Sequence, residues 1–148
     1  MTATLTPTVE PTTAAECSAP TPQLWRRGLA AGLVAGGATT AIAAVAHALG
    51  VSLEAEPGKA IPAMGFGQLT LFFTAIGMLI ARTIRGRARH PRSTFVRTTL
   101  VLTALSLVPD VILSTDVATK VTLVLTHLVA AAIVIPALSS RLAERGAR

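Results

Sequence analysis

The sequence predicts an all-α protein: a four-transmembrane-helix bundle with short loops. Four nearly uncharged stretches indicate this fold, because a membrane span needs about 20 apolar residues and a buried soluble helix only about 10–14. The predicted spans are residues 28–50, 60–81, 96–115 and 117–138. A hydrophobic share of 51% and a charged share of 14% favour a single membrane domain, residues 25–142, over a soluble fold.

The ends of the chain differ from this domain. Residues 1–24 are rich in Thr, Pro and Ala and lack the apolar content to fold, so a disordered cytoplasmic tail is predicted there, and a short one over 143–148. Cys17 is the only cysteine, which excludes an internal disulfide and a cysteine metal cluster. Ala46-His47-Ala48 resembles a signal-peptidase site, but the preceding apolar run exceeds the usual 7–15 residues, which favours a retained first span.

The first two spans carry small residues at helical spacing. Gly28, Gly32 and Gly36 fall on one face, where another helix can approach closely. Packing within the monomer is the favoured interpretation, and a homodimer contact through these glycines stays open. In the second span, Pro62 suits the first helical turn, and Gln68 is the single amide.

Positive charge is distributed unevenly among the connections. Eleven arginines precede the first span, join the second to the third, or follow the fourth, whereas the two lysines, Lys59 and Lys120, lie in the other connections. The arginines are Arg26, Arg27, Arg82, Arg85, Arg87, Arg89, Arg92, Arg97, Arg141, Arg145 and Arg148. Because cytoplasmic loops retain positive charge, both termini and residues 82–95 are predicted to be cytoplasmic, in a multi-pass plasma-membrane protein.

The basic connection has a second interpretation beyond setting topology. Arg85, Arg87, Arg89 and Arg92 are placed to meet anionic lipid headgroups. Nucleic acid is not an expected partner, because interleaved aromatic residues and a reading helix are both missing.

Asp110 is the most informative residue. It interrupts an otherwise apolar span directly after Pro109, and an ionisable group there costs about 2.5–3.5 kcal/mol on insertion scales unless it meets a partner or a wet cavity. Thr103, Ser106 and Asp110 share one helical face, which indicates a polar stripe leading to the carboxylate.

Depth connects Asp110 with polar residues on other spans. Counting about 1.5 Å per residue places Asp110 and His127 about 10 Å below the outer surface and Gln68 about 13 Å below it. His47 falls above this layer, close to the outer boundary. The sequence therefore predicts an outward-facing pocket that contains Asp110, His127, Gln68, His47, Ser106 and Thr103.

A carboxylate facing an imidazole supports three hypotheses. In the first, the pocket binds or passes a small solute or a proton. In the second, Asp110 and His127 are the catalytic acid–base pair of an isomerase or cyclase acting on a lipophilic metabolite. In the third, the pair only holds helices together in an accessory subunit. Whether the chain is an enzyme stays open. No phosphate loop, nucleophile elbow or zinc motif is present, so no cofactor and no metal are expected.

Short motifs add a family resemblance over about residues 25–142. Trp25 ahead of a Gly/Ala-rich span, Leu107-Val108-Pro109-Asp110, and His127-Leu128-Val129-Ala130-Ala131 running to Pro136 carry it. On these motifs the chain resembles a group of small, uncharacterised actinobacterial membrane proteins with four predicted spans and a domain of unknown function. The resemblance implies the membrane topology and transfers no catalytic role to any residue.

Overall fold

The computed structural model describes residues 22–56, 58–113 and 116–142 and contains four long helices. These are α1 (Pro22–Ala48), α2 (Ala63–Arg87), α3 (Pro91–Leu113) and α4 (Val117–Ser139). Each is long and apolar enough to cross a membrane. The predicted all-α, four-span fold is confirmed. The predicted tails lie outside the described residues, except that residues 22–24 already belong to α1.

The helices follow one another around the bundle as antiparallel neighbours. α1 packs on α2 and α4, and α3 packs on α4 and, less extensively, on α2. The end that holds the α2–α3 connection is called the inner end here, and the opposite end the outer end, after the predicted orientation.

The glycine stripe of α1 packs against α2 of the same chain. A Cβ atom on Gly36 would lie 3.3 Å from the carbonyl oxygen of Gly67, and one on Gly32 would lie 3.0 Å from Thr74 Cγ2. Gly28 faces Met78 in the same way. This face is therefore covered within the monomer, and a homodimer contact through Gly28, Gly32 and Gly36 has no free surface there.

The α2–α3 connection is shorter than predicted. Only residues 88–90 remain between the two helices, where a connection over 82–95 was expected. The predicted span ended at the first charge, but arginine is a good helix former and its long side chain reaches outward from a helical turn, so the backbone continues as helix. Most arginines of this region consequently lie on helix ends.

The outer α1–α2 connection contains an unpredicted hairpin. Strands β1 (Glu54–Glu56) and β2 (Lys59–Ala60) pair antiparallel, and Gly58 has the positive φ of 77° that the turn requires. Leu53 has φ 54°, which is rare for a branched apolar residue. Burial holds Leu53 in place, because its side chain is 1% exposed in the outer core.

Buried apolar residues form two separate clusters. The inner cluster draws on all four helices: Leu24, Met78, Ala81, Phe95, Leu138 and Leu142. The outer cluster consists of Ala43, Ala46, Leu53, Phe66 and Leu123, none of which belongs to α3. In the described part of the chain, α3 thus joins the apolar core only near its inner end, and 6% of its span is buried against 39% for α1.

Asp116 caps α4 at the outer end. Its Oδ2 accepts hydrogen bonds from the backbone N–H of Thr119 (2.9 Å) and from Thr119 Oγ1 (3.1 Å). The backbone bond is the main reason that the pKa of Asp116 lies below the usual aspartate value. This satisfies donors that a helix N-terminus otherwise leaves unpaired.

We expect Asp116→Ala to lower the melting temperature at neutral pH and Asp116→Asn to change it little, since asparagine also caps. A carboxylate whose pKa is lowered on folding stabilises the fold above its unfolded pKa, so this contribution should fade as pH falls below about 3.9. Thermal unfolding of purified protein between pH 6 and pH 3, for wild type and both variants, measures it. The melting temperature of Asp116→Asn should lack the part of the pH dependence that comes from this carboxylate. A pH profile in this variant identical to that of the wild type would contradict the assignment.

Candidate functional site

The third helix presents Asp110 on a polar face near its outer end. Thr103, Ser106 and Asp110 are all half-buried on this face, and α3 continues through Pro109 to Leu113. Pro109 cannot donate to the carbonyl of Leu105, which leaves a backbone acceptor one turn before the carboxylate. Local sequence thus creates a polar site within an apolar helix.

The fourth helix presents His127 opposite this face. His127 Nδ1 lies 3.0 Å from Asp110 Oδ2, so α3 and α4 are in ion-pair contact here. The side chains are 15% exposed for Asp110 and 35% for His127. The pair lies outside both apolar clusters and connects α4 to the part of α3 that the core does not hold.

One ring nitrogen faces two acceptors. His127 Nδ1 also lies 3.0 Å from the carbonyl oxygen of Leu123, one turn earlier in α4. The ring geometry fits a hydrogen bond to Leu123, whereas the contact with Asp110 has the distance of an ion pair without hydrogen-bond geometry. Asp110 Oδ2 is accordingly buried with no hydrogen-bond partner among the described residues.

An unpartnered buried carboxylate oxygen is unusual, because burying an acceptor without a hydrogen bond costs about 1–3 kcal/mol. A proton on Oδ2 would remove the charge. It could reach Nδ1 only after the ring turns away from Leu123, since the hydrogen bond to that carbonyl places a hydrogen on Nδ1. A carboxyl group and an imidazole are the kinds of group that acid–base exchange uses.

The hydroxyls of the predicted pocket are occupied by their own helix. Thr103 Oγ1 donates to the carbonyl of Thr99 (2.9 Å), and Ser106 Oγ donates to the carbonyl of Thr103 (2.8 Å). Both hydroxyls lie on the same face of α3 as Asp110, but these hydrogen bonds do not join them to Asp110 or His127. Each hydroxyl oxygen can still accept a hydrogen bond.

The remaining predicted pocket residues point elsewhere. Gln68 on α2 and His47 on α1 are both exposed, and neither takes part in the contact between Asp110 and His127. The hydrogen bond that joins α1 to α2 instead runs between Thr39 Oγ1 and Thr70 Oγ1 (3.0 Å). The similar depth predicted for Gln68 did not place it on a common face with the pair, and His47 was predicted to lie above that layer.

A groove of about 410 Å³ lies between α1 and α4 toward the outer end. Its lining is almost entirely apolar: Ala41, Ile42, Val45, Ala46, Leu49, Thr122 and Leu125. At 100° per residue, Thr122 and Leu125 lie on the side of α4 opposite to His127. The groove therefore does not open onto the acid–imidazole pair.

Sequence reasoning missed the carbonyl of Leu123 as a partner of His127. The signal was present, since a histidine can bond to the carbonyl four residues earlier in its helix, as threonines do throughout this bundle. Within residues 22–56, 58–113 and 116–142, no three His, Cys, Asp or Glu side chains form a group that could hold a metal ion.

The four apolar helices define a multi-pass helical membrane protein. Residues 19–144 match the model of a family of unknown function (DUF6069), and the chain belongs to that family. No curated protein and no solved structure matches the sequence. Together with the four apolar helices, the match fits the predicted uncharacterised family of small four-span proteins.

Proposed function

We propose that this membrane protein binds and exchanges a proton at Asp110 and His127, in a polar pocket that opens toward the outer side and takes up or passes a proton or a small solute. One observation carries the proposal: a buried carboxylate oxygen without a hydrogen bond lies 3.0 Å from an imidazole nitrogen. Intramembrane acids in such surroundings are characteristic of proton relays and solute pathways.

The exchange step needs only these two side chains. When Asp110 is protonated and the imidazole carries its hydrogen on Nε2, a turn of the ring lets the O–H donate to the lone pair of Nδ1. When the proton moves, the O–H bond breaks, the N–H bond forms, and the imidazole can donate to Leu123 or to the carboxylate.

Access supports exchange over a sealed structural pair. The His127 side chain is 35% exposed, so the pair is not sealed inside the bundle. Ser106 and Thr103 extend the polar face along α3 toward the inner end and supply further acceptors for a solute or for water.

The alternatives have weaker support. An isomerase or cyclase for a lipophilic metabolite would need an apolar cavity beside the acid, and the groove between α1 and α4 lies on the other side of α4. An accessory subunit has one observation in its favour: the pair holds a helix that contributes little to the core. The experiment below separates this role from proton exchange.

We expect reconstituted wild-type protein to dissipate an imposed pH gradient in liposomes, and Asp110→Asn and His127→Ala to reduce the rate to that of empty liposomes. A pH-sensitive dye trapped inside the vesicles measures the flux. Asp116→Asn is the matched control, since it makes the same substitution at an acid outside the spans and should leave the flux unchanged.

Absence of proton flux in the wild type, or full flux in Asp110→Asn, would overturn the proposal. Loss of thermal stability in Asp110→Asn without any wild-type flux would instead establish the accessory role.

The proposed location is the plasma membrane, with both termini cytoplasmic, because the basic residues gather at the inner end. An actinobacterial source is proposed from the family resemblance alone. In a Cys17→Ser background, a membrane-impermeant thiol reagent applied to intact cells should label Ala55→Cys and leave Ala88→Cys unlabelled. Labelling of position 88 from outside would reverse the orientation.

A further inference from the structure

We propose that the inner end binds anionic phospholipid headgroups through an arginine hairpin, defined as the six arginines at the end of α2, in the connection and at the start of α3. These are Arg82, Arg85, Arg87, Arg89, Arg92 and Arg97. The proposal rests chiefly on Arg87, Arg89 and Arg92, which are exposed and closest to the turn.

The backbone of the arginine hairpin is well defined. Only residues 88–90 separate the helices, and the N–H of Ala88 donates to the carbonyl of Ile84 (2.8 Å). Pro91 and Phe95 are buried at the start of α3, which anchors the other side of the turn. The guanidinium groups are thus carried by two packed helix ends, so the backbone that bears them is already ordered before an anion binds.

The depth of the arginine hairpin matches the headgroup layer. Arg82 and Arg97 are the members farthest from the turn. At 1.5 Å per residue, each lies within about 9 Å of the end of its helix. The polar layers add roughly 5–7 Å to each side of the hydrocarbon core. Long arginine side chains near helix ends reach from such depths into the phosphate plane.

Charge along the molecule favours an anionic partner at this end. The described acids, Glu54, Glu56, Asp110 and Asp116, all lie toward the outer end. The first turn of α3 contains no acidic residue, so its positive dipole end adds to the charge of the arginines. Guanidinium groups bind phosphate oxygens with two parallel hydrogen bonds.

A lipid is the partner that fits this position. The α2 and α3 surfaces next to the arginine hairpin carry exposed apolar side chains such as Leu79 and Leu100. An anionic phospholipid can meet both surfaces together, with its acyl chains on the helices and its phosphate on the guanidinium groups. A free phosphate ion would use the charge alone.

Trp25 provides a single built-in reporter for the test. It is the only tryptophan, is 42% exposed, and lies in the first turns of α1 at the inner end. Energy transfer from Trp25 to a dansyl-labelled phosphatidylglycerol, in vesicles otherwise of phosphatidylcholine, should exceed transfer to dansyl-phosphatidylcholine at equal mole fraction.

We expect Arg89→Gln/Arg92→Gln to lower the preference for phosphatidylglycerol about fivefold or more, since each basic residue near an anionic surface contributes on that scale. Arg89→Lys/Arg92→Lys should retain part of it. Arg26→Gln/Arg27→Gln removes the same charge from the inner end of α1 and should retain most of it.

Three results would overturn the proposal. The wild type could show no preference for phosphatidylglycerol, which would exclude the site. An equal loss in the Arg26→Gln/Arg27→Gln control would show diffuse attraction instead of a site. Complete competition by inorganic phosphate at constant ionic strength would assign the arginines to a free anion.

Discussion

Replacing Gly36 with leucine should separate α1 from α2 and lower the free energy of unfolding by about 3 kcal/mol, the upper part of the range for overpacking. A Cβ atom at this position would lie 3.3 Å from the carbonyl oxygen of Gly67, which is backbone and cannot rotate away. The rest of a leucine side chain would extend into α2. The hydrogen bond between Thr39 and Thr70 depends on the same close approach and should be lost with it.

Gly37→Leu is the matched control. Gly37 is the next residue of the same helix, and a Cβ atom there would meet nothing within 4 Å. Its effect should stay within about 0.5 kcal/mol, as for other exposed positions. Thermal unfolding in detergent, followed by circular dichroism, compares the two variants. Equal stability of both would show that the helices do not meet at Gly36.

The second large expected effect is a loss of both stability and proton flux when the contact between Asp110 and His127 is broken. His127→Leu should cost about 3 kcal/mol, the lower end of the range for breaking a buried pair, because it leaves Asp110, whose side chain is 15% exposed, without its partner. The double variant Asp110→Leu/His127→Leu should recover to within about 1 kcal/mol of the wild type, since replacing both members of a buried pair with apolar residues is often neutral. Proton flux should be absent from the single and the double variant.

Separation of stability from flux distinguishes proton exchange from helix attachment. A stable double variant without flux fits exchange at the pair. A double variant that retains flux would remove Asp110 and His127 from the mechanism, and a His127→Leu variant as stable as the wild type would show that the contact contributes nothing to the fold. Unfolding in detergent and the liposome assay, on the same preparations, measure both quantities.

The sequence predicted the elements that depend on hydropathy and periodicity. Lipid requires about 20 apolar residues per span, so four spans were predictable, and the spacing of Gly28, Gly32 and Gly36 identified the close-packed face of α1. Helix ends were less accurate, because backbone hydrogen bonds continue past the first charged residue. The outer hairpin was missed, since strands of two and three residues leave no periodic signal.

The candidate site was predictable only in part. Counting residues gives the depth of a side chain but not its direction around the helix axis. Asp110 and His127 proved to face each other, whereas Gln68, at a similar predicted depth, is exposed on α2. The directions depend on how the helices are rotated in the bundle, and that rotation follows from packing between distant residues such as Phe95 and Leu138.

Among the described residues, none from α3 belongs to the outer cluster, so the apolar core holds α3 only near its inner end. Phe95 is the α3 residue buried in the inner cluster. Asp110 lies 15 residues further along α3, about 22 Å away. A tilt of α3 by about 10° around Phe95 would move the Asp110 carboxylate by roughly 4 Å. This is more than the 3.0 Å between Asp110 Oδ2 and His127 Nδ1. A tilt of that size would break the contact between the Asp110 carboxylate and the His127 imidazole.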